Sequence, residues 1–254
     1  MSNRTHNVTT ESTNKFMRTV RAALGHPPDV RRMPPPALFE DAPSEESRRL
    51  QAGIERRSKA EEMKLMENLK SAAEPLNMKV VAVDGIEGAT AVIVAKTAEA
   101  ETEWGGDKQV CVWRHPLVDL LELPAAFERE NVRVISTDSF SSGSHKGLTP
   151  DRRAVFRRGV VDSFIGVTAA EYCVADTATL VLATRADQPR SVSLVPSIHM
   201  AVITVDQILA DFRELYALLR WQGIGKTEAL TNCLTFISGP SKTADIEATL
   251  VHGA

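Results

Sequence analysis

The chain has 254 residues, of which 43% are hydrophobic and 25% are charged, a composition typical of a soluble globular protein with one large or two smaller domains. Its formal net charge of −3 argues against a broadly basic nucleic-acid-binding surface, and no apolar run reaches the roughly 18–20 residues needed to cross a bilayer. Three widely spaced cysteines exclude a disulfide framework and a four-thiolate iron–sulfur site in this chain.

The N-terminal part differs in composition from the rest of the chain. Residues 12–24 favour a short helix, and Gly25 suits its C-terminal end. Residues 26–43 hold six of the 13 prolines, which resist both helix and sheet. We therefore expect residues 1–43 to form a flexible N-terminal arm and Pro-rich tether. The polar N-terminus carries no apolar signal segment, so we expect the protein to be cytoplasmic.

A helical pattern begins at Ser44 and ends at Pro75. Two interpretations of this segment are open: a peripheral helical arm, or a helix that packs on the core of its own domain. We assign residues 44–254 to one α/β domain. The apolar positions that form one stripe are Leu50, Ile54, Leu65, Leu69, Ala72 and Leu76.

Short apolar strands alternate with helices from Met78 onward. This order predicts an α/β fold with a mostly parallel central sheet and helices on both faces, extended by the N-terminal helical arm. Strands are expected over 109–114, 132–136, 163–167, 173–175, 179–183, 191–195, 200–205 and 234–237. Helices are expected over 86–99, from 150 onward, over 206–220 with Asp206 as its cap, and over 243–251.

The segment after the last predicted strand carries a small-residue turn followed by an expected helix start. Free backbone amides and the helix dipole at such a turn favour a carboxylate or phosphate. The alternative is that its hydroxyl groups only cap the helix. The candidate ligand-binding residues of this segment are Ser238, Gly239, Ser241, Thr243 and Asp245.

A second segment surrounds the strand over 163–167. Gly166 and Thr168 stand at its end and are candidate ligand-binding residues, as is Thr177. Glu171 and Asp176 are acidic groups beside apolar strands, where pKa values tend to shift, and are candidate catalytic residues. The alternative is that Asp176 and Thr177 only form a turn.

A third segment runs from residue 190 to residue 199. Ser193 is a candidate ligand-binding residue, and His199 is either a structural histidine or a catalytic one. If the three polar segments lie at neighbouring strand ends, we expect them to form one pocket for an anion. The spacing of the histidines and cysteines indicates no metal site.

Three ordered motifs resemble the signatures of the LUD-domain family: GVTAAEYCVADTATLVLAT at 166–184, RSVSLVPSIHMAVI at 190–203 and ISGPSKTADIEATLVHG at 237–253. The resemblance implies a fold similar to the NagB/RpiA/CoA-transferase superfamily. It also implies a LutC-like accessory role in the oxidation of L-lactate to pyruvate, beside LutA-like and LutB-like iron–sulfur partner proteins. No cofactor is expected in this chain, because the iron–sulfur clusters would belong to those partners.

Two departures from the family pattern bear on function. Ala178 stands where the family usually has a glycine, which permits positive φ or close backbone approach. The family also commonly continues past His252 into another apolar strand, so we expect a sheet edge that a partner or the arm must cover.

Three functions are left open by the residues. The first is an accessory subunit that binds a small anionic ligand or a partner at the strand-end loops. The second is a stand-alone isomerase or acyl/CoA-transferase-like enzyme acting on a phosphate- or carboxylate-bearing substrate, with Glu171 or Asp176 as base or nucleophile. The third is a scaffold whose loops are purely structural.

Overall fold

The computed structural model describes residues 15–25, 43–102, 105–137, 150–185, 187–221, 233–240, 242–244 and 250–252. By its contacts the chain divides into two units, 1–43 and 44–254. The first unit holds helix α1 over residues 15–23, as predicted. Gly25 follows it with a φ of 72° and donates its N–H to the carbonyl of Ala22.

The second unit contains the following elements in the described residues. The helices are α2 (Glu45–Glu55), α3 (Lys59–Ala73), α4 (Gly85–Glu99), α5 (Pro116–Asp119), α6 (Leu123–Phe127), α7 (Pro150–Val161), α8 (Ser191–Leu194) and α9 (Phe212–Trp221), with 3-10 turns at Glu74–Leu76, Glu128–Glu130 and Val205–Gln207. The strands are β1 (Gln109–Val112), β2 (Arg133–Ser136), β3 (Ile165–Ala169), β4 (Tyr172–Val174), β5 (Thr179–Ala183), β6 (Ile198–Val202), β7 (Ile208–Leu209), β8 (Leu234–Ile237), β9 (Lys242–Ala244) and β10 (Leu250–His252). No helix among the described residues is both long enough and apolar enough for a bilayer span.

The helical pattern that begins at Ser44 is two helices. Helix α2 ends at Glu55. Ser58 caps the start of α3, because its hydroxyl accepts from the N–H of Glu61 while the Glu61 carboxylate accepts from the N–H of Ser58. Helix α3 then places Met66 and Leu69 in the core. The interpretation as a helix that packs on its own core is therefore confirmed for α3.

The central sheet has four parallel strands in the order β2-β1-β3-β6. Val110 of β1 lies beside Val134 of β2 and Ile165 of β3, so the apolar positions of neighbouring strands are in register. A second sheet has the order β7-β4-β5-β8, in which β4 runs parallel to β7 and antiparallel to β5. The predicted mostly parallel central sheet is confirmed.

Both faces of the central sheet are covered. One face packs Val167 and its neighbours against α4, α5 and α6, including Phe127. The opposite face packs Cys111 and Trp113 against α3, α8 and the second sheet. A third apolar cluster lies on the far side of the second sheet, where Leu215 of α9 contributes. Burial on both faces explains why β3 carries apolar residues and a single neutral polar one, Thr168.

The prediction of a strand over 191–195 is wrong, because Ser191–Leu194 forms helix α8. The helix crosses directly over Gly166, and a Cβ on that glycine would stand 1.8 Å from the carbonyl oxygen of Val192. The five residues 191–195, in which two serines alternate with apolar residues, are too few for their period to distinguish a strand from one helical turn. Only the missing side chain on β3 makes room for the helix.

Two further element predictions are corrected. The helix expected over 206–220 begins only at Phe212, and Asp211 rather than Asp206 accepts from the first backbone N–H groups, those of Arg213 and Glu214. The two apolar residues before it form β7 beside β4.

The helix expected over 243–251 is also wrong. Lys242–Ala244 and Leu250–His252 pair as antiparallel strands, while residues 245–249 lie outside the described residues. The apolar run 78–83 has no regular secondary structure.

Replacing Gly166 with alanine tests the packing of α8 on β3. We expect G166A to lower the free energy of unfolding by at least about 3 kcal/mol, because the added methyl group would overlap a backbone carbonyl that cannot rotate away. The matched control is G53A on the exposed surface of α2, where the added Cβ meets nothing within 4 Å. Urea denaturation of both variants should show loss only in G166A, and equal stabilities would contradict the role of Gly166.

A second stability prediction concerns the ion pair between Arg57 and Glu214. The pair is 2.6 Å long with side chains only 12% and 14% exposed, and Arg57 also donates to the carbonyl of Ile208. We expect E214Q to cost about 2–3 kcal/mol, because it leaves a largely buried guanidinium without its counter-charge. The control is E46Q, which breaks an exposed pair with Arg213 and should change stability by less than about 1 kcal/mol. Thermal denaturation in low and high salt measures both, and a similar loss in E46Q would argue against this distinction.

Candidate functional site

The predicted site residues lie in three separate places. The first is the face of the central sheet that packs against α8, where Thr168 Oγ1 and His199 Nε2 are joined by a 2.8 Å hydrogen bond. Gly166 lies beside His199 on the neighbouring strand and is covered by α8. Ser193 is buried in α8 and donates its hydroxyl to the carbonyl of Arg190. Thr168, His199 and Gly166 are therefore neighbours between layers of the core, and Ser193 lies in the helix that covers Gly166.

The environment of His199 makes its ring neutral at neutral pH. Burial disfavours the charged imidazolium and lowers the pKa of His199 to about 4. Thr168 is fully buried and supplies the hydrogen-bond partner that a buried ring nitrogen needs. The pair as it stands is an internally satisfied polar contact, and a ligand role for it stays a prediction.

The second place is the turn between β4 and β5. Asp176 and Thr177 are exposed there, and the Thr179 hydroxyl lies 2.8 Å from Thr177 Oγ1 and 2.7 Å from Ser238 Oγ. Gly239 follows with a φ of 83°. The structure thus brings two of the three predicted segments together as a small group of hydroxyls. Ser241 and Asp245 lie outside the described residues, and only the backbone of Thr243, in β9, is described.

The backbone conformation of Ala178 shows why glycine is favoured at this position of the turn. Its φ is 45°, in the left-handed region where a side chain is strained, and the residue is completely buried. The glycine expected from the family pattern would adopt this backbone without strain. The motif around Ala178 therefore specifies the shape of a buried turn.

Glu171 and Asp176 are not brought together. Glu171 immediately precedes β4 and Asp176 follows its end, so the two carboxylates lie at opposite ends of the strand. In the described residues, Glu171 pairs instead with Arg185, which follows β5. The expected convergence of the three segments into one pocket is absent from the part of the chain that the structure describes.

The third place is the carboxyl edge of the central sheet. From β1 the chain passes to β2 on one side, and from β2 it returns to β3 on the other side of β1. The gap between β1 and β3 is thus a topological switch point, the position where open α/β sheets bind ligands. His115 follows β1 at this edge, and Glu171 follows β3.

A continuous polar network joins the two strand ends. Arg185 forms an ion pair with Glu171 and donates from the same nitrogen, Nη1, to Oε1 of Gln188 at 3.2 Å. Gln188 is 8% exposed and donates in turn to the carbonyl of Arg114 at 3.1 Å. We call His115, Glu171, Arg185 and Gln188 the carboxyl-edge cluster. The four residues come from three separate stretches of the chain. The buried amide of Gln188 links them, because its oxygen accepts one hydrogen bond and its nitrogen donates another.

Residues 187–189 are held by hydrogen bonds at the same edge of the sheet. The indole Nε1 of Trp113 donates to the carbonyl of Pro189 at 3.0 Å. The hydroxyl of Thr137 donates to the carbonyl of Asp187 at 2.6 Å and accepts from the N–H of Arg114 at 2.7 Å. These contacts hold residues 187–189 at the ends of β1 and β2, so the position of Gln188 in the network is fixed.

The two ring nitrogens of His115 have different roles. Its Nδ1 accepts from the N–H of Leu117 at 3.1 Å, so the neutral ring carries its proton on Nε2. Burial lowers the pKa of His115, while the negative charges of Glu171 and Asp119 act in the opposite direction and Arg185 adds to the lowering. The ring is thus a neutral hydrogen-bond donor at neutral pH.

Sequence reasoning found only Glu171 of this cluster. His115 directly follows the predicted strand over 109–114 and precedes a proline, a position at the carboxyl end of a parallel strand that could have marked it. Arg185 and Gln188 have no comparable signal, because they reach the site by a contact between distant parts of the chain.

Comparison with known proteins identifies the family. The family model described as LUD domain matches residues 66–254, which include all three motifs and the whole carboxyl-edge cluster. The chain belongs to the LUD domain family. The resemblance seen in the three motifs is therefore confirmed.

Several relatives of this LUD-domain chain carry the name lactate utilization protein C. The one from Halalkalibacterium halodurans is 33% identical over 146 residues, which are 58% of this chain and 57% of the relative. The one from Bacillus subtilis is 35% identical over 89 residues, which are 35% of this chain and 37% of the relative. The matches thus span less than two thirds of each relative. A solved DUF162 family protein from Deinococcus radiodurans is 20% identical with a TM-score of 0.46, over 70% of this chain and 88% of that chain.

The neutral state of His199 predicts a pH dependence of stability. Its folded pKa of about 4 lies below the ordinary value of 6.5, so between these values the unfolded chain binds a proton that the folded chain does not. Stability should be fully present above pH 6.5 and fall by up to about 3 kcal/mol as the pH drops to 4. Urea denaturation of wild type and H199N at pH 7 and pH 4.5 isolates this contribution. The difference between the two proteins should shrink at pH 4.5, and a difference that does not change with pH would refute the assignment.

Proposed function

We propose that this chain is a LutC-like accessory protein of L-lactate utilization, which binds a small anionic ligand or a partner at its strand-end loops. The observation that carries the proposal is the LUD-domain match over residues 66–254, together with the relatives named lactate utilization protein C. The oxidation of lactate to pyruvate itself takes place on LutA-like and LutB-like iron–sulfur partner proteins.

The cysteines of the chain favour a division of labour with such partners. Cys111 and Cys173 are buried in the apolar layer between the two sheets, and burial raises the pKa of each thiol to about 12. The chain has three cysteines, fewer than the four thiolates that typically hold an iron–sulfur cluster. Electron transfer is therefore assigned to the partners, and this chain supplies binding and positioning.

The arrangement of the acidic residues leaves one candidate base or nucleophile for the stand-alone isomerase or acyl-transferase. That mechanism requires a base or nucleophile beside an anion-binding turn. Glu171 is ion-paired at the carboxyl edge, whereas Asp176 is exposed at the opposite end of β4 near the Thr177 and Ser238 hydroxyls. Asp176 therefore meets this requirement and Glu171 does not, whereas the accessory role requires neither.

Deleting the gene for this chain in its native host tests the proposal. We expect growth on L-lactate as the sole carbon source to be lost and growth on glucose to be unchanged, because only lactate oxidation uses the protein. Re-expression of the chain should restore growth, and the tagged chain should purify from lactate-grown cells with iron–sulfur proteins.

Two outcomes would contradict this role. Unimpaired growth of the deletion strain on L-lactate would remove the link to lactate oxidation. Turnover of a sugar phosphate or an acyl-CoA by the purified chain alone would favour the stand-alone enzyme.

A further inference from the structure

We propose that the carboxyl-edge cluster binds a small 2-hydroxy- or 2-oxocarboxylate. Arg185 receives the ligand carboxylate in exchange for Glu171, and Nε2–H of His115 donates a hydrogen bond to the oxygen on the neighbouring carbon. The choice of this ligand class rests on the proposed function, whereas the location of the site rests on the geometry of the cluster.

The Glu171 carboxylate already shows how Arg185 holds such a group. Arg185 contacts this carboxylate through one nitrogen, Nη1, and a guanidinium carries further N–H donors in a planar fork that matches a carboxylate. The two side chains are 42% and 29% exposed, which leaves the pair open to a small solute. Ion pairs exposed to this extent contribute little to stability, so the exchange of one carboxylate for another is inexpensive.

His115 supplies the second point of attachment. Its Nδ1 is occupied by the N–H of Leu117, so the proton of the neutral ring stands on Nε2. Among the described residues, the charged groups that act on this ring are Glu171, Arg185 and Asp119, and Asp119 is itself paired with Arg114 at 3.1 Å. A neutral N–H donor beside a guanidinium distinguishes a carboxylate with an adjacent oxygen from a plain carboxylate.

Gln188 is the positioning residue of the site. Its buried amide accepts from Arg185 and donates to the carbonyl of Arg114, the residue that precedes His115. The same side chain thus sets the position of the guanidinium relative to the histidine. Because both ends of the amide are satisfied, the two ligand contacts are held in place before a ligand arrives.

Isothermal titration calorimetry on the full chain at pH 7 tests the site with pyruvate, L-lactate and propionate, which lacks the oxygen on the second carbon. We expect saturable binding of pyruvate or L-lactate, and binding of propionate that is about tenfold weaker, the equivalent of one lost hydrogen bond. R185Q should weaken the binding of all three by about tenfold or more, because a charged contact is lost.

The variant H115N gives the sharper result. Asparagine can still accept the N–H of Leu117 and so keep the start of α5, but it lacks the Nε2 donor. H115N should lower the affinity for pyruvate or L-lactate to that for propionate and leave propionate unchanged. The matched control is R49Q, which removes an exposed, ion-paired arginine on α2 and should leave every affinity within about twofold.

Three results overturn the site: no saturable binding of either oxygen-bearing acid, binding that R185Q does not alter, or an equal loss for propionate in H115N. The growth assay separates this inference from the proposed function. If R185Q and H115N support growth on L-lactate as well as the wild-type chain does, the ligand site is refuted and the accessory role is retained. If pyruvate binds as described but deletion of the gene leaves growth on L-lactate intact, the ligand site is retained and the accessory role in lactate utilization is refuted.

Discussion

The burial of β3 on both faces is the constraint on which the rest of the structure depends. All five of its residues are buried, with α4 to α6 on one side and α8, α3 and the second sheet on the other. A strand enclosed in this way can carry a polar side chain only if that side chain is neutral and has a partner, which is the state of Thr168 beside His199. Charge is therefore confined to the ends of the strand, and Glu171 is the first charged residue along the chain after its carboxyl end.

The same constraint explains how much of the fold could be predicted from the sequence. The strands β1, β3 and β5 are mostly apolar because all of their residues are buried, which makes them recognisable as strands. The segments over 191–195 and 243–251 were assigned to the wrong element. A short apolar segment is ambiguous until its neighbour is known, and the neighbour that makes room for α8, Gly166, stands 25 positions before its first residue.

The candidate site was predictable only where a residue directly follows a strand. Glu171 satisfies this condition, and so does His115, whose position after β1 could have been recognised. Arg185 and Gln188 could not be found in this way, since their place beside Arg114 depends on contacts between residues 74 positions apart. Local patterns report secondary structure, whereas a network of this kind is a product of the tertiary fold.

The motifs that carry the family resemblance thus combine two kinds of residue. Gly166, Ala178 and Gly239 stand where backbone approach or a positive φ leaves little room for a side chain, so they maintain packing whatever ligand is bound. Glu171 belongs to the same stretch of sequence yet faces partners whose charge a ligand can replace. His199 and His115 differ in the same way, because the ring of His199 is removed from water beside the Thr168 hydroxyl whereas three charged side chains act on His115. Since a bound anion acts only on groups that it can approach, the carboxyl edge is the place where ligand charge and protein charge can be coupled.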